Sequence, residues 1–250
     1  MARKRIDQLL VERGVFDSRA KARAAVEAGC VSVAGKVVAK PAETVDEHAE
    51  IVARAAHPWV GRGALKLVHA LDLWPIAVEG RVAIDVGAST GGFTEVMLSR
   101  GAAKVFAVDV GRDQLHAKLK ADPRVVDLSG VDARALDGAV IPMAPDLIVS
   151  DVSFISLTKA LPAALKLAGA EADLVALIKP QFEAGREHVG KGGLVKDPEV
   201  IARVEGEIVD FLEASGWSVK ELAESPITGG EGQVERLVWA QKKSAVPHSS

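Results

Sequence analysis

Asp85-Val86-Gly87-Ala88-Ser89-Thr90-Gly91-Gly92-Phe93 is the stretch on which the fold turns. An apolar run, Val82-Ala83-Ile84, leads into it, and a helical pattern leads out of it through Met97 and Leu98. It therefore reads as the tight connection between a buried strand, Arg81–Val86, and a helix, Gly92–Arg100. Its glycines permit a close approach between backbone and ligand that a side chain would block. The same alternation continues outward. A helix over Ala64–Leu73 precedes this strand, and strands follow at Lys104–Val108, Val125–Leu128, Leu147–Ser150 and Leu174–Ile178. Runs such as Leu-Ile-Val-Ser are apolar on both faces, as strands covered by helices on both sides must be. Two last strands, Trp217–Glu221 and Val234–Ala240, suit an antiparallel pair at the edge. The expected fold is α/β, with a doubly wound, mostly parallel sheet of seven strands.

In such a sheet, ligands sit beyond the carboxyl ends of the strands. Asp109 ends the second strand, where a carboxylate can accept hydrogen bonds from both hydroxyls of a ribose. Asp132 ends the third, within reach of an adenine amino group. A glycine-rich turn is also used by dinucleotide-binding dehydrogenases. The spacing here is Asp-x-Gly-x-x-x-Gly-Gly rather than Gly-x-Gly-x-x-Gly, and Asp85 would repel a pyrophosphate while welcoming a cationic amino acid. Both details resemble the S-adenosylmethionine-binding motif of Rossmann-like methyltransferases. The resemblance implies cofactor contacts from Asp85, Gly87, Ala88, Ser89, Thr90, Gly91, Gly92, Phe93, Asp109, Asp132 and Asp151.

The atom that would receive a methyl group is narrowed by elimination. Cytosine C5 chemistry needs a cysteine nucleophile in the catalytic domain, but Cys30 is the only cysteine and lies near the N-terminus. Radical methylation needs a three-cysteine cluster. Exocyclic amino methylation usually goes with Asx-Pro-Pro-aromatic after the fourth strand, where this chain has Asp151-Val152-Ser153-Phe154. Oxygen or a ring nitrogen remains. Four charged residues stand at suitable places: Lys66 before the sheet, Asp151 after the fourth strand, Lys179 after the fifth, and Glu235 at the start of the last. Glu231 is a rival for the fourth place, but Glu235 stands directly before an apolar strand run.

The first forty residues carry nine Lys/Arg against four Asp/Glu, a balance of +5, while the remaining 210 carry −8. A basic head on an acidic body suits an appendage that binds a polyanion. It reads as helix, turn, helix and hairpin. Gly14 and Gly29 stop the helices, Ser18 caps Arg19–Ala28, and Ala34-Gly35 is the hairpin turn. Arg5-Ile6-Asp7-Gln8-Leu9-Leu10, Ser18-Arg19-Ala20-Lys21-Ala22 and Gly29-Cys30-Val31-Ser32-Val33-Ala34-Gly35-Lys36 resemble an S4-type RNA-binding domain, which usually has Asn at the position of Ala34. The resemblance implies RNA contacts from Arg3, Arg5, Arg19, Lys21, Arg23 and Lys36. Cations on a small module bind the RNA backbone through counterion release.

The Lys66-Asp151-Lys179-Glu235 order resembles the tetrad of FtsJ-like ribose 2′-O-methyltransferases. With the S4 module and the phrases Gly-Ala-Ser-Thr-Gly-Gly-Phe and Ser-Asp-Val-Ser-Phe-Ile-Ser, the chain resembles the TlyA family over about residues 3–240. These are haemolysin-named proteins that act as rRNA cytidine 2′-O-methyltransferases. The family's linker has Arg-x-Trp-Val where this chain has His57-Pro58-Trp59-Val60. The expected division is an S4 domain over 1–55, a linker over 56–62, a methyltransferase domain over 63–243 and a flexible tail over 244–250. The implied mechanism has Lys179, buried beside other cations, take the hydroxyl proton. Asp151 and Glu235 orient and balance the two lysines.

At 250 residues and 48% hydrophobic, the chain can bury one full core and a small module. No apolar run approaches the ~18 residues of a transmembrane helix, and the basic N-terminus lacks an apolar signal core. A lone cysteine suits a reducing cytoplasm, and the histidines show no metal-ligand spacing, so no metal is expected. The expected partner is ribosomal RNA or a ribosomal subunit. A membrane-active haemolysin and a catalytically silent RNA-binding assembly factor are the alternatives.

Overall fold

The computed structural model describes residues 3–229 and 232–242. The expected tail over 244–250 and the rival Glu231 lie outside them. The chain forms two compact units, Met1–Arg62 and Gly63–Ser250.

In the first unit, β1 (Arg3–Arg5) leads directly into α1 (Ile6–Glu12), and α2 (Arg19–Glu27) follows. The Ser18 hydroxyl caps α2 by accepting the Lys21 N–H at 3.4 Å. Then come β2 (Val31–Val33), β3 (Lys36–Val37), β4 (Thr44–Asp46) and β5 (Ile51–Ala53). β1 pairs with β4, and β2 lies between β3 and β5, all antiparallel. Ile6, Leu9 and Leu10 from α1 meet Ala22, Ala25 and Val26 from α2, spaced by three and four residues as a helical face requires. Residues 41–62 lack periodicity in the sequence, yet β4 and β5 lie among them. Each is three residues long, too short for a period of two to register. At the hairpin, Ala34 and Gly35 have φ of 47° and 76°. Both central residues of this two-residue turn are left-handed, the type I′ geometry that favours Asn or Gly over Ala.

In the second unit, α3 (Ala64–Leu73) precedes β6 (Val82–Val86), α4 (Gly92–Ser99), β7 (Lys104–Asp109), α5 (Ala117–Lys120) and β8 (Val125–Ser129). A 3-10 turn at Ala133–Ala135 leads to β9 (Leu147–Ser150), α6 (Leu157–Ala160), α7 (Pro162–Leu167) and β10 (Asp173–Ile178). After α8 (Pro180–Glu183) comes α9 (Pro198–Ala214), then β11 (Trp217–Glu224) and β12 (Arg236–Lys242). The seven strands run in the order β11-β12-β10-β9-β6-β7-β8. β10, β9, β6, β7 and β8 are mutually parallel, while β12 is antiparallel to both β10 and β11. The chain moves outward from β6 to β8, returns to β9 on the other side of β6, and so creates a switch point between β6 and β9. α9 is capped by Asp197, whose carboxylate accepts the Glu199 N–H at 2.9 Å. It buries Val200, Val204, Ile208 and Leu212 in the core with Ile148, Leu174 and Val238.

Replacing Ala34 by Asn should relieve the left-handed strain and raise the stability of the N-terminal unit by up to about 1 kcal/mol. Urea unfolding of the two chains measures this. A lower midpoint for Ala34→Asn would contradict the assigned turn.

Candidate active site

The C-terminal ends of β6, β7, β8 and β9 surround a cavity of about 570 Å³. Gly87, just past β6, has φ of 86°, and a Cβ there would come within 3.1 Å of the Asp151 carbonyl oxygen. Glycine is thus what lets the exit of β6 pass the exit of β9. Gly91, with φ of 93°, starts α4, and a Cβ there would overlap the Leu119 side chain. Gly87 and Ser89 line the cavity, as do Asp109, Asp132 and Asp151. Ala88, Gly92 and Phe93 are buried behind it, and Thr90 is exposed, its carbonyl accepting the His116 N–H at 3.2 Å.

The three strand-end carboxylates differ in environment. Asp85 is fully buried. Its Oδ2 accepts the Thr94 N–H at 2.9 Å and the Thr94 hydroxyl at 2.7 Å, which ties β6 to α4. Among the described residues, its Oδ1 has no partner. Burial pushes the Asp85 carboxyl up to about 7, with the Thr94 hydrogen bonds opposing and the charges of Asp151 and Asp109 adding. Asp109 accepts the Ser89 N–H and the Gly111 N–H, each at 2.7 Å. A carboxylate offers about four acceptor positions, so two remain for ligand hydroxyls. Asp132 lies three residues beyond the end of β8 rather than at it. Its carboxylate is held by the Arg134 guanidinium, Oδ2 at 2.5 Å from Nη2, and this hydrogen bonding keeps its carboxyl down at about 2.

Four charged side chains from four elements meet beside this cavity. Lys66 comes from α3, Asp151 follows β9, Lys179 follows β10, and Glu235 immediately precedes β12. Lys66 Nζ lies 2.6 Å from Glu235 Oε2 and 3.2 Å from Asp151 Oδ2. Lys179 Nζ lies 2.6 Å from Asp151 Oδ1. Lys66 and Lys179 are each only 6% exposed and Glu235 only 2%. Burial alone would raise the Asp151 carboxyl, but the flanking Lys66 and Lys179 outweigh it and hold it below the usual carboxylate range.

Three neighbours escaped the sequence reading. The Ser153 hydroxyl accepts a hydrogen bond from Lys179 Nζ at 3.0 Å. Phe154 is 91% exposed with φ of 66°, and its ring centre lies 5.0 Å from that of Phe182. Phe182 in turn lies 6.0 Å from Lys179 Nζ. The signal available in the sequence was an aromatic within Asp151-Val152-Ser153-Phe154, but exposure cannot be read from residue type.

In the N-terminal unit, Arg5 and Arg19 converge on one buried carboxylate, Asp7, at 3.0 Å and 2.9 Å. Their hydrogen bonds, that from Arg5 foremost, hold the Asp7 carboxyl down at about 2. Arg3 donates to the Thr44 carbonyl at 2.5 Å. Lys21 pairs with Asp17 at 2.8 Å and Arg23 with Glu27 at 3.7 Å, while Lys36 is exposed on β3. Among the described residues, no group of three His, Cys, Asp or Glu could hold a metal ion.

Residues 59–242 match the FtsJ-like methyltransferase family, and residues 4–51 match the S4 domain. The chain is 45% identical over 247 residues to the 16S/23S rRNA (cytidine-2′-O)-methyltransferase TlyA of Mycobacterium tuberculosis, covering 98% of this chain and 92% of that protein. The chain belongs to the TlyA family. Another relative, Hemolysin A of Brachyspira hyodysenteriae, is 38% identical over 234 residues, 93% of this chain and 98% of that one. A solved structure of a Streptococcus thermophilus protein named as a hemolysin superposes with a TM-score of 0.77 at 40% identity, covering 100% of this chain and 93% of that one. The S4 module, the FtsJ-like domain and the mostly parallel seven-stranded sheet expected from the sequence are all present.

Asp85 makes stability depend on pH. Its carboxyl is raised from 3.8 to about 7, so the folded chain favours the protonated form. The stability this group contributes is full below its ordinary value and is lost as pH rises through about 7. Asp85→Asn, which keeps an acceptor for Thr94, should therefore gain in melting temperature over the parent more at about pH 8 than at about pH 5. Thermal unfolding at both pH values measures the difference, and an equal offset at both would contradict it.

Proposed function

We propose that this TlyA-family chain transfers the methyl group of S-adenosylmethionine to a ribose 2′-hydroxyl of ribosomal RNA, with cytidine as the target nucleoside. The observation that carries the proposal is the buried bridge Glu235–Lys66–Asp151–Lys179 at the edge of the cavity. The cavity's chemistry suits the cofactor. Asp109 keeps acceptor positions that suit ribose hydroxyls, Asp132 on the same cavity wall offers an acceptor that suits an adenine amino group, and Asp85, buried behind the wall, holds the start of α4 through Thr94. Bound there, S-adenosylmethionine supplies an electrophilic methyl group on a positively charged sulfur.

A ribose hydroxyl is a weak nucleophile until its proton leaves, and a positioned base contributes about 10²–10⁴-fold to the rate. The two lysines differ in partners. Lys66 is held between two carboxylates and acts as the fixed cation. Lys179 is held by one carboxylate and a neutral hydroxyl, which leaves one of its three nitrogen directions for a substrate proton. In this reading Lys179 removes the 2′-hydroxyl proton, Asp151 orients both amines, and Glu235 secures Lys66. The exposed Phe154 ring at the cavity offers a face on which a nucleobase can stack.

The S4 domain supports RNA as the substrate, with Arg3, Arg5, Arg19, Lys21, Arg23 and Lys36 as the phosphate-contacting residues. The names of the TlyA relatives from M. tuberculosis and Campylobacter jejuni support ribosomal RNA and cytidine. Such a role is cytoplasmic. The haemolysin name of some relatives has no counterpart in a spanning helix, since none of the described helices is long and apolar enough to cross a membrane.

Lys179→Ala should lower methyl transfer to rRNA by about 10²-fold or more while S-adenosylmethionine binding stays within a few-fold of the parent. Labelled-methyl incorporation and calorimetric titration of the cofactor measure the two. Transfer at a near-parental rate would remove Lys179 from the role of base. Mass-spectrometric mapping of 2′-O-methyl sites on the product RNA tests the nucleoside.

A further inference from the structure

Within the reading of Lys179 as the base, on which this inference rests, the remaining question is what aims its lone pair. A neutral amine has two N–H donors and one lone pair at three corners around Nζ, and it rotates freely about Cε–Nζ unless its donors are engaged. Only an orientation with both donors satisfied elsewhere leaves the lone pair at a defined corner. Lys179 has two described acceptors, Asp151 Oδ1 at 2.6 Å and Ser153 Oγ at 3.0 Å. One is a carboxylate shared with Lys66, and the other is a neutral hydroxyl used by no other member of the quartet. Ser153 also lines the cavity together with Asp151 and Phe154, so the acceptor belongs to the wall that faces a substrate.

We propose that Ser153 is a positioning residue for the methyl transfer: by accepting one N–H of Lys179 while Asp151 accepts the other, it leaves the amine lone pair directed at the third corner, toward the 2′-hydroxyl. Ser153 forms and breaks no covalent bond. The proton moves from the ribose oxygen to Lys179 Nζ, the ribose oxygen bonds the methyl carbon, and the carbon–sulfur bond breaks to leave a neutral thioether. A hydroxyl suits this place better than a second carboxylate, because another negative charge would bind the ammonium form of Lys179 and oppose its loss of a proton. The loop geometry keeps the hydroxyl in place. Leu157, at the end of the same loop, donates its N–H to Glu183 Oε1 at 2.9 Å, and Glu183 belongs to the short helix that begins directly after Lys179. Donor and acceptor are thereby held on two segments that are stapled together.

The test is single-turnover methylation of rRNA by the full chain carrying Ser153→Ala, Ser153→Thr, Lys179→Ala, or Ser153→Ala with Lys179→Ala. Ser153→Ala should slow the transfer step by about tenfold while the cofactor Kd and the half-saturating RNA concentration stay within about twofold. Ser153→Thr, which retains the hydroxyl, should restore most of the rate. In the Lys179→Ala background, Ser153→Ala should have no further effect, because the hydroxyl then has nothing to aim. A Ser153→Ala rate within twofold of the parent overturns the inference, as does a Thr variant no faster than the Ala variant. So does a Ser153→Ala defect that persists undiminished without Lys179. A Lys179→Ala chain that methylates normally overturns instead the assignment of the base.

Discussion

Two lysine side chains lie buried at one end of a parallel sheet, and the carboxylate of Asp151 between them is what allows both to be there. Removing a charged group from water costs several kcal/mol even after relaxation, and two like charges side by side add repulsion. Asp151 gives one oxygen to Lys179 at 2.6 Å and the other to Lys66 at 3.2 Å, and Glu235 completes the balance at 2.6 Å from Lys66. The carboxylate is placed by the sheet itself. The Asp151 N–H bonds to the Val86 carbonyl at 3.1 Å, so the residue sits at the point where the chain reverses its strand order. The same crowding that requires glycine at position 87 sets the Asp151 backbone against the glycine loop.

The direction of the last strand is the second half of this constraint. In a parallel strand the residue after the C-terminal end reaches the site, as Asp151 does after β9 and Lys179 after β10. β12 is antiparallel, and its first residue, Arg236, pairs with Ile178 at the C-terminal end of β10. The residue that precedes β12 therefore stands beside the residue that follows β10, which brings Glu235 to the quartet. A parallel seventh strand would have placed Glu235 at the opposite end of the sheet.

Much of this was legible from the residues. The apolar runs of β6, β9 and β10 announce doubly covered strands, and the four members of the quartet stand at strand or helix positions that the alternation identifies. What escaped did so for physical reasons. β4 and β5 are three residues each and take their stability from pairing partners distant in sequence, Arg3 to Arg5 with Thr44 to Asp46 and Val31 to Val33 with Ile51 to Ala53, rather than from their own pattern. The helix α9, by contrast, is marked in the chain by its cap, Asp197-Pro198, and by the four-residue spacing from Val200 to Leu212. Ser153 could not be singled out, because its partner is 26 residues distant and a serine carries no charge to mark it. For the basic N-terminal unit, the sequence shows the excess of cations but not that Arg5 and Arg19 share Asp7.

Asp85 and Asp151 look alike in the sequence, each an aspartate at or just past the carboxyl end of a buried strand. Their surroundings separate them. Asp85 is buried with hydrogen-bond donors but no cation, and its carboxyl rises to about 7; Asp151 is flanked by two ammonium groups and falls below its ordinary value. The two shifts are connected, since the charges on Asp151 and Asp109 are among the causes that raise Asp85. Asp151 keeps its charge because two lysines stand against it, whereas Asp85, tied only to Thr94, is the more readily protonated of the two. The arrangement that builds the buried quartet and the one that anchors the loop are thus parts of a single electrostatic balance, in which the position of each cation decides which aspartate holds its charge.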